Sequence, residues 1–241
     1  MDIKILPSVL NVPREEIQEY IEEIEQVVDG ISFDIMDGQF VPPTSFTLEE
    51  VQSYNVSKLM EVHLMVQHPE TMIEDYVKAG ADIVTIHYEA LQESLHDNLE
   101  LIHELGAQTS LALKPDTPVD HVPDDVWDMV DVPLIMSVEP GWGGQSFMTD
   151  MLEKVRILRE KFPDKDINID GGVTDETAPL AIEAGATILI SGSYLYKAED
   201  REEAAEALRR GLGSLQDSRP LNGETLQKIA HSHCVVPLVR G

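Results

Sequence analysis

The stretch Gly30-Ile31-Ser32-Phe33-Asp34-Ile35-Met36-Asp37-Gly38 drives an apolar run into an aspartate and then breaks at a glycine. A run this apolar, without strict polar alternation, reads as a strand covered on both faces, which is how parallel strands sit between helices. A second copy of the design stands at Ile167-Asn168-Ile169-Asp170-Gly171-Gly172. Outward from these two, β-rich apolar runs recur at Ile3 to Ser8, Gly30 to Asp34, Leu59 to Leu64, Ile83 to His87, Thr109 to Leu113, Leu134 to Val138, Ile167 to Asp170 and Ile188 to Ser191. Helical periodicity fills the gaps. Ile17, Tyr20, Ile21, Ile24, Val27 and Val28 share one helical face, with Asn11 as the expected cap and Pro13 in the first turn. Pro69 to Ala79, Leu91 to Leu105, Thr149 to Lys161 and Asp175 to Ala184 follow suit, with Gly80, Gly106 and Gly185 at stop positions. Eight strand and helix repeats imply an α/β fold, a closed (β/α)8 TIM barrel with right-handed crossovers. The expected domain is 1–212, closed by a helix over Glu202 to Leu212, and 213–241 is a C-terminal extension with no place in the repeat.

A chain of 241 residues suits one such barrel. The formal net charge of −28, from 45 acidic against 17 basic side chains, repels nucleic acid and acidic membranes, so neither is an expected partner. Such a surface suits a salt-rich medium, where charges repel over only a few ångströms. No apolar run approaches the roughly 20 residues of a membrane span, and the start, Met1-Asp2-Ile3-Lys4-Ile5, lacks a signal pattern, so a soluble cytoplasmic protein is expected. The single cysteine, Cys234, can form no internal disulfide. His231, His233 and Cys234 match no standard zinc spacing.

In a barrel of this type the residues that close the strands, and the loops after them, build the active face. Here they are Ser8, Asp34, His63, His87, Lys114, Glu139, Asp170 and the Ser191-Gly192-Ser193 turn. If the Asp34 and Asp170 strands are neighbours around the barrel, their carboxylates face each other across its mouth. Such a pair can take a proton from one face of a carbon and return it to the other, which is epimerase chemistry. Three glycine loops, Pro140-Gly141-Trp142-Gly143-Gly144-Gln145-Ser146, Asp170-Gly171-Gly172 and Ser191-Gly192-Ser193, are suited to cradling a phosphate through backbone N–H groups, each with a helix expected just after it. Met36, Met65 and Met136 fall at or past strand ends, as core filling or as water-excluding walls.

Six blocks carry a resemblance to the ribulose-phosphate 3-epimerase family, in its order and spacing, from Ile5 to about Tyr196. They are Leu6-Pro7-Ser8-Val9-Leu10, Phe33-Asp34-Ile35-Met36-Asp37-Gly38-Gln39-Phe40-Val41-Pro42, Val62-His63-Leu64-Met65-Val66, Ile86-His87-Tyr88-Glu89-Ala90, Val138-Glu139-Pro140-Gly141-Trp142-Gly143-Gly144-Gln145-Ser146-Phe147 and Asp170-Gly171-Gly172. The resemblance implies a ribulose-phosphate-binding barrel that interconverts D-ribulose 5-phosphate and D-xylulose 5-phosphate through an enediolate, a step of the pentose phosphate pathway. It makes Asp34 and Asp170 the catalytic base and acid. It also makes Asp34, His63 and Asp170 ligands of a divalent metal (zinc, iron, cobalt, manganese or magnesium). Ser8, His63, Gly141, Trp142, Gly143, Gly144, Gly171, Gly172, Gly192 and Ser193 would hold the sugar phosphate, and self-association into a homo-oligomer is expected. One position departs from the pattern: the family's further histidine ligand is replaced by Ser32. A hydroxyl is a far poorer ligand than imidazole for zinc or iron. Water, a harder ion or an absent metal are the open outcomes, and a 3-epimerase of another phosphorylated ketose, such as allulose 6-phosphate, or a weakened sugar-phosphate-binding barrel are the alternative functions.

Overall fold

The computed structural model of the chain describes residues 2–91 and 94–210, so the expected extension 213–241, with His231, His233 and Cys234, lies outside the described residues. Eight strands appear in chain order: β1 (Lys4–Leu6), β2 (Gly30–Met36), β3 (Leu59–Met65), β4 (Ile83–His87), β5 (Gln108–Leu113), β6 (Val132–Met136), β7 (Asn168–Asp170) and β8 (Ile188–Ile190). All pairings are parallel, in the order β1-β8-β7-β6-β5-β4-β3-β2. The ring closes where β1 runs past its end. Ser8 bridges Ser32 in parallel, with Ser32 N–H donating to the Pro7 carbonyl (2.9 Å) and Val9 N–H to the Ser32 carbonyl (3.2 Å). This bridge joins the two strands that would otherwise be the sheet's edges.

The helices are α1 (Ile17–Ile24), α2 (Leu48–Ser53), α3 (Ile73–Lys78), α4 (Leu95–Glu104), α5 (Asp124–Asp128), α6 (Leu152–Lys161), α7 (Ala178–Ala184), α8 (Ser193–Tyr196) and α9 (Arg201–Leu208). Their apolar faces, such as Ile17, Tyr20, Ile21 and Ile24 of α1, cover the outward strand residues Ile5, Phe33, Ile35, Val62 and Leu64 in one continuous core. Alternate strand residues point inward: Leu6, Ile83, Ala112, Leu134, Met136, Ile188 and Ile190 fill the barrel interior. Gly80, Gly106 and Gly185 stop their helices with positive φ of 109°, 89° and 114°, a backbone that side chains resist.

Several expected boundaries move. The first helix begins later, because Arg14–Glu16 forms a 3-10 turn, and Asn11 caps nothing there. Short helices α2, α5 and α8 carry too few turns for a periodic signature, although α2 has a full capping box between Thr47 and Glu50. The last helix ends at Leu208. The Asp34 and Asp170 strands are not neighbours: β8 and β1 stand between β7 and β2, and curvature of the wall brings their ends together. No helix among the described residues is long and apolar enough to cross a membrane.

Candidate active site

The inward residues of β2, β3 and β7 converge at the C-terminal mouth. Asp34 and His63 are partners in the β2–β3 register, and Asp170 ends β7. His63 Nδ1 lies 3.2 Å from Asp34 Oδ1 and 3.4 Å from Asp170 Oδ2, with the imidazole fully buried, Asp34 nearly so and the Asp170 side chain 14% exposed. Despite this proximity, His63 Nδ1 and Asp34 Oδ1 make no directed hydrogen bond. The atoms point at a shared space more than at each other. Asp34 is held from its other oxygen: Ser8 Oγ donates to Oδ2 at 2.6 Å.

Electrostatics follow from this crowding. Burial would pull the His63 imidazole down, but Asp170 and Asp34 beside it outweigh burial and push it up to about 10. Burial, with the charge of Asp34, raises the Asp170 carboxyl above its ordinary value. One layer deeper sit Ser32, Glu61, Thr85, Ser110 and Asn168, all fully buried. Glu61 Oε1 accepts from Thr85 Oγ1 (2.7 Å) and Asn168 Nδ2 (3.2 Å), and burial raises its carboxyl to about 7. Ser32 Oγ, Glu61 Oε2, Ser110 Oγ and Asn168 Oδ1 have no partner.

Above the carboxylates opens a pocket whose walls include Ser8, Asp34, Met36, Met65, Met136, Glu139, Gly141, Trp142, Gly143, Gly144, Asp170, Gly171, Gly172, Gly192 and Ser193. The expected site residues thus assemble in one place, with the three methionines as wall residues. Three of the strand-end candidates stand apart from the walls. His63 and His87 lie buried behind the carboxylates, and the Lys114 ammonium sits 3.7 Å over the Phe40 ring. Sequence reasoning missed Asn11 as a pocket residue: a Cβ on Gly143 would fall 1.9 Å from its amide nitrogen, so the glycine loop packs directly on it. An isolated polar residue before a helix reads as a cap, and nothing local reveals a loop folding onto it from over a hundred residues away. Of the helices expected after the glycine loops, only α8 starts at once, at Ser193; α6 and α7 begin several residues on.

Three comparisons place this geometry among known proteins. The sequence model described as the ribulose-phosphate 3 epimerase family matches residues 4–196. Ribulose-phosphate 3-epimerase of Bacillus subtilis (strain 168) is 39% identical over 215 residues, which span 86% of this chain and 98% of that protein. The chloroplastic ribulose-5-phosphate-3-epimerase of Arabidopsis thaliana is 40% identical over 218 residues, or 86% of this chain and 76% of that one. Among solved structures, 3-hexulose-6-phosphate synthase from Salmonella typhimurium superposes with a TM-score of 0.65 at 14% identity, covering 86% of this chain and 97% of that one, a likeness of fold alone.

Proposed function

Because the chain belongs to the ribulose-phosphate 3-epimerase family, we propose that it interconverts D-ribulose 5-phosphate and D-xylulose 5-phosphate by moving the C3 proton between Asp34 and Asp170. It is an isomerase of the carbohydrate-epimerase class. The observation that carries the residue assignment is the pair of carboxylates converging on His63 Nδ1, at 3.2 Å and 3.4 Å, on the floor of a pocket rimmed by glycine loops.

Asp34, oriented by the Ser8 hydroxyl, takes the proton from one face of C3, and the substrate becomes an enediolate. Asp170, whose carboxyl burial and the Asp34 charge hold toward the protonated form, returns a proton to the opposite face. In the reverse direction the roles exchange. Met36, Met65 and Met136 keep water from the intermediate, and Gly144, Gly172, Gly192 and Ser193 lie where the loops meet and cradle the phosphate.

The donor set fits a divalent cation. Asp34, His63 and Asp170 offer ligand atoms that all lie within 4.8 Å of one another, and the His63 and Asp34 atoms facing the shared space lack other partners. A cation held by these three would polarise the substrate carbonyl and stabilise the negative charge of the enediolate. Ser32 Oγ, buried and unpartnered, stands where the family pattern has imidazole.

Proton NMR of the protein with ribulose 5-phosphate in deuterated water, before and after divalent metal is supplied, tests the reading. Deuterium is expected at C3 as xylulose 5-phosphate appears, and Asp34→Asn should slow this by about 10²- to 10⁴-fold. Absence of exchange with every metal supplied overturns the proposal.

A further inference from the structure

His63 meets the two carboxylates with one ring nitrogen only. Its other nitrogen, Nε2, points into the barrel wall, 2.9 Å from Nε2 of His87, with the two ring planes 17° apart. Beyond it, His87 Nδ1 lies 3.3 Å from Glu89 Oε2. Both imidazoles are fully buried, so the line Glu89, His87, His63 runs through protein and not through water.

Two nitrogens 2.9 Å apart have room for one proton between them. Which ring owns it is decided at the far end of the line. Glu89 Oε1 accepts from the Lys114 backbone N–H at 2.9 Å and from the Thr117 hydroxyl, so the carboxylate is clamped and can only accept. Its other oxygen therefore demands a proton on His87 Nδ1. With one proton on the ring, at Nδ1, the His87 Nε2 is bare and accepts in turn. The shared proton then belongs to His63 Nε2. His63 Nε2 therefore keeps its proton, and Nδ1, between Asp34 and Asp170, is the nitrogen that gives up its proton when a cation takes its place.

We infer that Glu89 and His87 are positioning residues for His63: together they hold a proton on its Nε2, so that Nδ1 is the nitrogen that faces the cation held with Asp34 and Asp170. The inference rests on the metal reading above. It extends the carboxylate and histidine pairing that commonly orients metal-bound imidazoles by one further ring.

Glu89→Gln separates this role from packing, since it changes one atom and little volume. Lys114 N–H can only donate, so the amide oxygen must take the Oε1 place, and the amide nitrogen turns to His87. A donor now faces His87 Nδ1. The proton shifts to His87 Nε2, points at His63, and obliges His63 to carry its own proton on Nδ1, where it obstructs the cation.

The experiment is long-range proton–nitrogen correlation NMR on the full, metal-free chain with labelled histidine and His87 assigned, followed by zinc titration against a chromophoric chelator. The wild-type chain should show His87 protonated on Nδ1. Glu89→Gln should show it on Nε2 and bind zinc about 10- to 100-fold more weakly. A proton on His87 Nε2 in the wild-type chain overturns the inference even if the variant fails to fold. So does a folded variant with an unchanged His87 and unchanged zinc affinity. Wild-type protein that takes no zinc overturns the metal reading instead, and the His87 proton position still decides the relay.

Discussion

Ser32 stands where the resemblance to the family implies a further histidine ligand, and its surroundings define what the exchange would cost. Its hydroxyl is buried without a partner, and its register partner Glu61 also has one oxygen unsatisfied. An imidazole at position 32 would lie on the same inward face as Asp34, with longer reach than a hydroxyl. Its register partner Glu61 supplies a carboxylate on the same inward face, the pairing that fixes metal-binding imidazoles elsewhere. Ser32→His should therefore tighten zinc by about tenfold or more, measured by equilibrium dialysis. Equal or weaker binding would overturn this reading of position 32. The resemblance pointed to position 32; its pairing with Glu61 was not legible in the sequence, because it depends on the β2–β3 register.

The loops to which the proposed function assigns the sugar phosphate are fitted to each other as elements. Gly172, after β7, has φ +65°, and a Cβ there would lie 2.6 Å from the backbone nitrogen of Phe147 in the loop after β6. No side-chain adjustment relieves a backbone contact of that kind. Gly172→Ala should displace the loop, raising KM for the sugar phosphate at least tenfold, or ~1.4 kcal/mol, with a smaller change in kcat. Inorganic phosphate should weaken in parallel as an inhibitor. A fall in kcat with KM unchanged would place the loop in the chemistry and not in binding. Glycine spacing alone marked all three loops, yet the packing of Gly143 on Asn11 and of Gly172 on Phe147 required the folded wall.

Among the described residues, several of the scarce cations are committed to backbone carbonyls. Lys154 Nζ donates to the carbonyls of Lys114, Pro115 and Thr117, Lys165 Nζ to those of Trp127 and Val130, and Arg159 to those of Gly185, Phe162, Pro163 and Lys165. These charges tie the ends of helices and strands to their neighbours but leave most of a −28 surface uncompensated. Self-repulsion should then oppose folding until it is screened, and the Debye length falls from about 10 Å at 0.1 M salt to about 3 Å at 1 M. The urea midpoint should rise steadily over that range, alike in sodium and potassium chloride. A midpoint independent of salt would show that the acidic surface is not a burden on the fold.

From the order of residues alone came the barrel, its strand-closing carboxylates and the glycine loops, since each is written in local pattern: apolar runs, helical period, and glycine where the chain must turn. Tertiary structure alone decided that β2 and β7 meet across β8 and β1, that Asn11 lines a pocket, and that Glu89, His87 and His63 form one line of hydrogen bonds. The reason is physical. Local patterns fix which face of an element is apolar, but a hydrogen bond or a shared ligand position depends on register between strands and on closure of the ring, where one residue of slip would turn each of these side chains to the other face.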